Sequence, residues 1–548
     1  MSKKAVGKPR KLLRPFEQLN EIGAALSSEK DIHLLLEKIL VGARTITNAD
    51  GGTLYLMSED GRSLRFEIVA NSSLNIAMGG SSGNPVPYPD LPLIMADGSP
   101  NNAMVATYCA IHRKTVNIPD AYGKSNFDFS GMRGLDGITG YHSKSLLAVP
   151  LTNQDSEVIG VLQLINALDR NTGEVVRFSR AAQRLAESLG SQAAIVLSNR
   201  RLILQQEALF ESFIRMINLA IDAKSPYTAG HCQRVPTLTM MLAEAAQATV
   251  EGPFASFSMT EQDRHELQIA GLLHDCGKIT TPVHVVDKAT KLETIFDRIA
   301  LIDTRFEVLK RDAEIEALKA TLALRSPVDP AAEAVLESTL RRETLELDAE
   351  REFLRRANIG AEKMRPEDQR TVRDIGTRRQ WINPQGLVAN FLSADETENL
   401  TIRAGTLTPA ERRIIDDHIV VTIRMLESLP WVRHLKNVPE YAGGHHERMD
   451  GKGFPRGLEG HQMSVQSRIL GIADIFEALT AEDRPYKQGK LLSESLNILG
   501  NFSLNGHIDP DLFDVFVRNK IYLQYALQFL KAGQIDAVDE SNIAGYTP

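Results

Sequence analysis

The feature that most constrains this chain is a stretch of about fifty residues, from about Glu174 to Ala223, with no proline and one interior glycine, Gly190. Its apolar residues, among them Leu185, Leu189, Ala193, Leu197, Leu202, Leu209, Phe213, Met216 and Leu219, recur mostly at intervals of three or four. That spacing lays one apolar stripe along a helix. A long connecting helix is predicted over about 174–222, and pairing of its stripe with a second copy predicts a homodimer.

At 548 residues the chain is too long for one growing hydrophobic core, so two or three domains are expected. No run of eighteen or more apolar residues is present to span a bilayer. The opening MSKKAVGKPRKLLRPF is a basic tail, about 1–15, without the apolar core of a secretory signal. We expect a cytoplasmic protein that does not bind membranes. Three widely spaced cysteines, Cys109, Cys232 and Cys276, make neither a disulfide framework nor a CxxC metal site. A net charge of -8 argues against a surface for nucleic-acid polymers, whose affinity comes largely from Lys and Arg neutralising phosphates.

Before the long helix, alternating runs at TLYLM and SLRFEIVA are joined by Ser58-Glu59-Asp60-Gly61, and SLLAVPLT and VIGVLQLINA flank a polar turn from Asn153 to Glu157. These are hairpins of an antiparallel sheet in an α+β domain. After the helix the pattern is helical almost to the end. Residues from about Arg298 to Gly376, rich in Arg, Glu, Ala and Leu and broken at Ser326-Pro327-Val328-Asp329-Pro330, read as a solvated helical hairpin.

Four elements in that second half carry metal chemistry. GLLHDCGK places His274 and Asp275 at the end of an apolar-faced helix. Imidazole is a good ligand for first-row metals, and an adjacent carboxylate can bridge two of them. Thr408-Pro409-Ala410-Glu411 has the N-cap, N1 proline and N3 glutamate of a capping box, and opens a helix toward His418. His445 and His446 enter a glycine-rich loop, HHERMDGKGFP, from which adjacent side chains can reach two different ions or one ion and a substrate. Asp474 sits in RILGIADIFEALT, which has almost no polar face; a carboxylate buried there needs a partner. A phosphodiester is anionic and resists attack, so two metals that screen its charge and lower the pKa of a bound water would hydrolyse it without a serine or cysteine nucleophile. A nitrogen and oxygen donor set without thiolate suits iron or manganese.

In this order the elements resemble the HD-GYP branch of the HD-domain metal phosphohydrolases, over about Asp222 to Lys487 apart from the insertion. DAKSPYTAGHCQRV is similar to the family's entry motif and adds His231; HDCGK, HHERMDGKGFPRGL and ADIFEALTAEDRPYK match its later motifs. The resemblance implies that Asp275 bridges two divalent ions, with His231, His274 and Asp474 on one and His418, His445 and His446 on the other. It implies that Lys278 lies beside the bridging water and the scissile phosphate, acting with Asp275 in catalysis. Arg484, Lys487, Gly453 and Phe454 would contact substrate. The substrate it implies is a cyclic dinucleotide: cyclic di-GMP, cleaved to linear pGpG and/or GMP. The alternatives are 3′,3′-cyclic GMP-AMP and a catalytically inactive module that binds nucleotide or a partner.

Departures from the family pattern are Phe454 for its tyrosine, Glu477 for the carboxylate three residues after Asp474, and Thr281-Pro282-Val283 and Lys288-Ala289-Thr290 after HDCGK. Pro236 should kink or delay the helix that follows His231. Some members have a glutamate four residues before that histidine; here it is Tyr227, which predicts two ions rather than three unless Glu447 substitutes.

The first domain resembles a GAF domain. SNFDFSGMRGLDGITGYHSKSLLAVPLTN followed by EVIGVLQLINA looks like the cyclic-nucleotide-binding type, which implies Asn126, Asp128, Asp136 and Thr139 as ligand contacts, although that subfamily's Asn-Lys pair is Asn166-Ala167 here. The expected organisation is a multidomain chain: a GAF sensor over 16–173, the connecting helix over 174–222, and an all-α HD-type domain over 223–510 with a helical insertion at about 298–405. A C-terminal helical extension and tail, 511–548, would complete it.

Overall fold

The computed structural model describes residues 9–29, 31–225, 230–324, 330–360, 363–482 and 489–547. The chain divides into two compact units, with the boundary between Phe210 and Glu211.

The N-terminal unit runs α1 (Pro9–Ser28), α2 (Ile32–Thr47), β1 (Ala49–Met57), β2 (Ser63–Asn71), β3 (Ile76–Gly79), β4 (Leu91–Pro92), α3 (Val105–His112), β5 (Val116–Ile118), α4 (Ser130–Thr139), β6 (Leu146–Thr152), β7 (Val158–Leu168) and β8 (Val175–Val176). The strands form one antiparallel sheet in the order β3-β2-β1-β7-β6-β5, with β4 on β2 and β8 on β7. Successive side chains of a strand point to opposite faces, so each strand feeds two cores. Leu54, Val149, Leu162 and Leu164 pack with Leu36 and Leu40 of α2. Their neighbours Tyr55, Ala148 and Val161 pack on the other face with Val105, Cys109 and Phe129.

The long helix, α5 (Arg180–Lys224), starts later than its apolar spacing predicts. Val175 and Val176 bond to β7 instead, and Phe178 is buried beside them in the first core. Sheet pairing therefore takes the residues that helical periodicity alone would assign to the first turn.

The C-terminal unit continues with α6 (His231–Gln247), α7 (Glu261–Leu273), the short α8 (Val283–Val286), α9 (Ile299–Ala323), α10 (Pro330–Asn358), α11 (Pro366–Arg378), the hairpin β9 (Gln380–Ile382) and β10 (Val388–Asn390), and α12 (Ala394–Leu400). Then come α13 (Pro409–Asp416), α14 (His418–Glu427), α15 (Val438–Gly443), α16 (Val465–Thr480), α17 (Leu492–Leu504), α18 (Pro510–Arg518) and α19 (Ile521–Phe529). α6 is central and packs on α7, α16, α18 and α19. It begins at His231, so Pro236 lies inside the helix and does not delay its start, which removes the delay half of the kink-or-delay expectation. Instead Pro236 packs closely on α7: a Cβ on Gly271 would fall 3.2 Å from its Cα.

The segment from α9 to α12 is more than a solvated hairpin. Ile302, Phe306, Leu347 and Leu354 are buried with Val372, Ile375, Phe391, Leu392 and Leu400 in a core of their own. Outside that core, arginines of α10 and α11 are paired with carboxylates, as in Arg355 with Asp303 and Arg378 with Glu350. No helix among the described residues is long and apolar enough to cross a membrane.

Candidate metal centre

Each metal-type side chain is delivered by the end or one face of a helix. Thr260 and Asp263 cap α7, which ends at Leu273 and leaves His274 and Asp275 at its C-terminus. A short 3₁₀ turn, Cys276–Thr280, then folds against α14. Glycine is needed there, because a Cβ on Gly277 would fall 2.0 Å from the carbonyl oxygen of His418. The Gly277 amide also donates to the Thr422 hydroxyl at 2.9 Å, so the His-Asp pair and the His418 helix are docked backbone to side chain. The capping box of Thr408 and Glu411 forms as the sequence predicts. Glu411 additionally accepts from the buried Lys288 ammonium at 2.8 Å, and Lys288 in turn binds Asn399 of α12. α15 presents His445 and His446, and α16 presents Asp474.

These side chains converge. Ligand atoms of His231, His274, Asp275 and Asp474 lie within 4.8 Å of one another, as do those of His418, His445 and His446. Asp275 joins the two sets: Oδ2 is 3.0 Å from His231 Nε2 and 3.2 Å from His274 Nε2, while Oδ1 is 3.1 Å from His418 Nε2. Asp474 Oδ1 lies 3.4 Å from His231 Nε2. Lys278 Nζ lies 2.5 Å from Asp275 Oδ2.

The tautomers are set from behind. His274 Nδ1 donates to the Gly271 carbonyl at 2.7 Å and His445 Nδ1 to that of Ala442 at 2.6 Å, and His418 Nδ1 donates to Ile415. His231 Nδ1 donates to Glu477 at 2.6 Å. With Nδ1 committed to these acceptors, each ring turns Nε2 into the cluster, where it offers a lone pair once its proton is displaced. His231 and His274 Nε2 then face each other at 3.3 Å, His418 and His446 Nε2 also at 3.3 Å, and His445 Nε2 is buried with no hydrogen-bond partner among the described residues. Converging lone pairs of this kind fit a divalent cation, and so does the donor set. The His/Asp cluster is able to hold metal.

Electrostatics divide the cluster. Around His274, burial opposes charge but Asp275 and Asp474 outweigh it and push the imidazole up to about 10. His231 is raised in the same way, against burial, by Asp275 and Glu477. Burial also opposes charge on Asp275, yet Lys278 and His274 hold it well below the usual carboxylate range. On the other side burial pushes His446 down to about 4 and His445 well below its ordinary value, so both stay neutral and ligand-ready.

The other sequence-derived residues fall as follows. Phe454 stacks on His446, with ring centroids 4.8 Å apart and planes 18° from parallel. Gly453 is a close-packing position, where a Cβ would fall 2.5 Å from the Arg448 amide nitrogen. Glu447 is buried and accepts the amides of Arg456 at 2.7 Å and Leu458 at 2.9 Å, so it closes its own loop rather than turning toward the cluster. Arg484, Lys487 and Tyr227 lie outside the described residues. In the N-terminal unit Asn126, Asp128 and Thr139 are exposed; the Asp128 carboxylate accepts the Ser130 amide and the Thr139 hydroxyl donates to the Leu135 carbonyl. Asp136 is buried and accepts from the Tyr122 hydroxyl at 2.7 Å and from the Ser143 amide and hydroxyl at 2.8 Å. Sequence reasoning noted Glu477 only as a departure and gave it no place in the site. The available signal was its position one turn after Asp474 on a helix with almost no other polar residue.

Residues 31–197 match the GAF domain family, and residues 228–359 and 394–512 each match an HD domain family. The chain carries a GAF domain followed by an HD domain. The two HD matches flank residues 360–393, within the insertion, and between them they contain every side chain of the cluster. A 3′3′-cGAMP-specific phosphodiesterase of Vibrio cholerae is 39% identical over 134 residues, 24% of this chain and 30% of that protein. A cyclic di-GMP phosphodiesterase of Pseudomonas aeruginosa is 36% identical over 141 residues, 26% of this chain and 33% of that one. A dual 3′,5′-cyclic-AMP and -GMP phosphodiesterase of Takifugu rubripes is 31% identical over 188 residues, 33% of this chain and 18% of that protein. The aligned stretches thus span a third or less of these relatives.

Proposed function

We propose that this chain is a metal-dependent phosphodiesterase of the HD-GYP type that hydrolyses cyclic di-GMP to linear pGpG and/or GMP under the control of its GAF domain. The observation that carries the reading is the bridge: Asp275 offers one oxygen to each of two ligand sets, as a two-ion site requires. His231, His274, Asp275 and Asp474 would hold one ion and His418, His445 and His446 the other. Two such ions, iron or manganese, supply charge neutralisation at the phosphate and a water of lowered pKa. The chain's own groups do the rest. Lys278, beside Asp275, places a cation where negative charge grows on the phosphoryl oxygens, and Arg484 and Lys487 would hold the phosphates. Phe454, stacked on His446, would present its ring to a base of the substrate. Glu447 is committed to two backbone amides, which supports two ions rather than three.

The test is anaerobic purification with metal quantification, followed by product analysis on both dinucleotides. Two ions per chain and preferred turnover of cyclic di-GMP are expected. Faster turnover of 3′,3′-cyclic GMP-AMP would replace the substrate assignment with the second reading, which the Thr281-Pro282-Val283 stretch and the Vibrio relative favour. For Asn126, Asp128 and Thr139 a cyclic nucleotide is the ligand proposed, while Asp136, committed to Tyr122 and Ser143, would support the loop around it.

We further propose a homodimer through α5. Ile195, Leu202, Leu209 and Met216 recur at intervals of seven and are all exposed, as a coiled-coil seam requires. Light scattering should report a dimer at micromolar concentration; a monomer would rule this out.

A further inference from the structure

Among the four histidines of the cluster whose Nδ1 partner is described, three donate to the backbone carbonyl three residues earlier: His274 to Gly271, His418 to Ile415 and His445 to Ala442. His231 is the first residue of α6 and donates to a carboxylate instead, that of Glu477, at 2.6 Å. Glu477 is 1% exposed and lies one turn beyond Asp474 on α16, so one helix supplies both a candidate ligand and the group behind another ligand. Its second oxygen accepts from Arg234 at 2.7 Å, one turn after His231 on α6. The carboxylate is thereby pinned at both oxygens between two helices. A charged acceptor on Nδ1 draws the N–H proton toward itself and concentrates electron density on Nε2, which a neutral carbonyl does less strongly. The two ligand sets also differ in charge. One contains Asp275 and Asp474 together with the carboxylate-backed His231, and the other contains three imidazoles and meets Asp275 only through Oδ1.

We propose that Glu477 is a positioning residue that makes the two half-sites unequal. By orienting His231 and strengthening its Nε2, it lets the set of His231, His274, Asp275 and Asp474 bind its divalent ion more tightly and fill first, ahead of the set of His418, His445 and His446. This rests on the two-ion reading above and adds an order of filling and the residue that sets it.

The experiment is a calorimetric titration of the chelated full chain with Mn2+, with bound metal counted after dialysis at fixed free Mn2+. The parent should take up two unequal equivalents. Glu477→Gln, which keeps an acceptor and loses the charge, should weaken the tighter equivalent by about 10- to 100-fold and leave the weaker within about twofold. Glu477→Asp, which keeps the charge, should recover much of that loss. A merely structural role would move both equivalents together, and that result, or no change in either, overturns the inference. If Glu477→Gln does not fold, Arg234→Gln is the second variant. It should weaken the same equivalent by a smaller factor, and an unchanged titration overturns the inference equally. A parent chain that binds no Mn2+ sinks the two-ion reading itself, which separates the two failures.

Discussion

Asp136 in the N-terminal unit and Asp275 in the C-terminal unit are both buried carboxylates, 6% and 3% exposed, in surroundings that differ in kind. Around Asp136 the partners are neutral donors, the Tyr122 and Ser143 hydroxyls and a backbone amide, and each hydrogen bond closes inside the protein. Around Asp275 the neighbours are three Nε2 atoms and an ammonium, and two of those nitrogens, on His231 and His274, face each other as well as the carboxylate. A satisfied polar cluster needs nothing more and ties loops together. A cluster whose ring nitrogens converge on shared carboxylate oxygens binds a proton or a metal ion between them. Burial of a carboxylate does not by itself mark a site; the convergence of ring nitrogens on it does.

The largest effect should come from emptying the second cluster. Replacing His274 and Asp275 by Ala should reduce phosphodiester hydrolysis to the uncatalysed level and bring bound metal below one ion per chain, while far-ultraviolet circular dichroism stays helical. Turnover retained in that variant would refute the assignment.

A second effect uses pH on the chelated chain. His274 is held up to about 10, where burial is outweighed by Asp275 and Asp474. Its contribution to stability is therefore complete below the unfolded pKa of about 6.5 and is lost as pH rises through about 10. His446, pushed down to about 4 by burial, has the opposite sign: its contribution is present above about 6.5 and is lost as pH falls through about 4. Thermal unfolding of the chelated protein should thus fall off toward both ends. Bound Mn2+ should flatten the alkaline side, because the ion takes the place of the His274 proton. An identical alkaline decline with and without Mn2+ would break the contrast between the two clusters.

Smaller effects are expected at the satisfied cluster. Asp136→Ala strands the Ser143 amide and hydroxyl and the Tyr122 hydroxyl, and should cost the GAF domain about 1–3 kcal/mol in denaturant unfolding, with metal content unchanged. Ser143→Ala removes one donor of that network and should cost only about 0.5–1.5 kcal/mol. If either variant lost bound metal, the two clusters would not be independent.

Much of the fold was legible from short-range patterns. The turn at Ser58 to Gly61 and the capping box at Thr408 and Glu411 formed where read, and the run that became α5 formed over most of its expected length, all written in residues three to seven apart. The start of α5 was less legible, because Val175 and Val176 fit a helix start and a strand equally well and only the nearby edge of β7 decides between them. The insertion's core was hidden by its composition. Its buried positions, such as Phe306 and Leu354, are sparse among charges that pair on the surface.

What the sequence determined by itself was the inventory: which residues carry imidazoles and carboxylates, which helix ends present them, and which family order they follow. Only the tertiary structure decided the geometry. His231 and Glu477 are 246 positions apart and meet because α6 and α16 pack together. Phe454 covers His446, and Glu447 turns from the cluster to the amides of its own loop, because that loop folds back on itself. Caps and periodicity are local energies that the next few residues settle. The direction of a lone pair depends on what stands behind the ring, and that is settled only when distant helices pack.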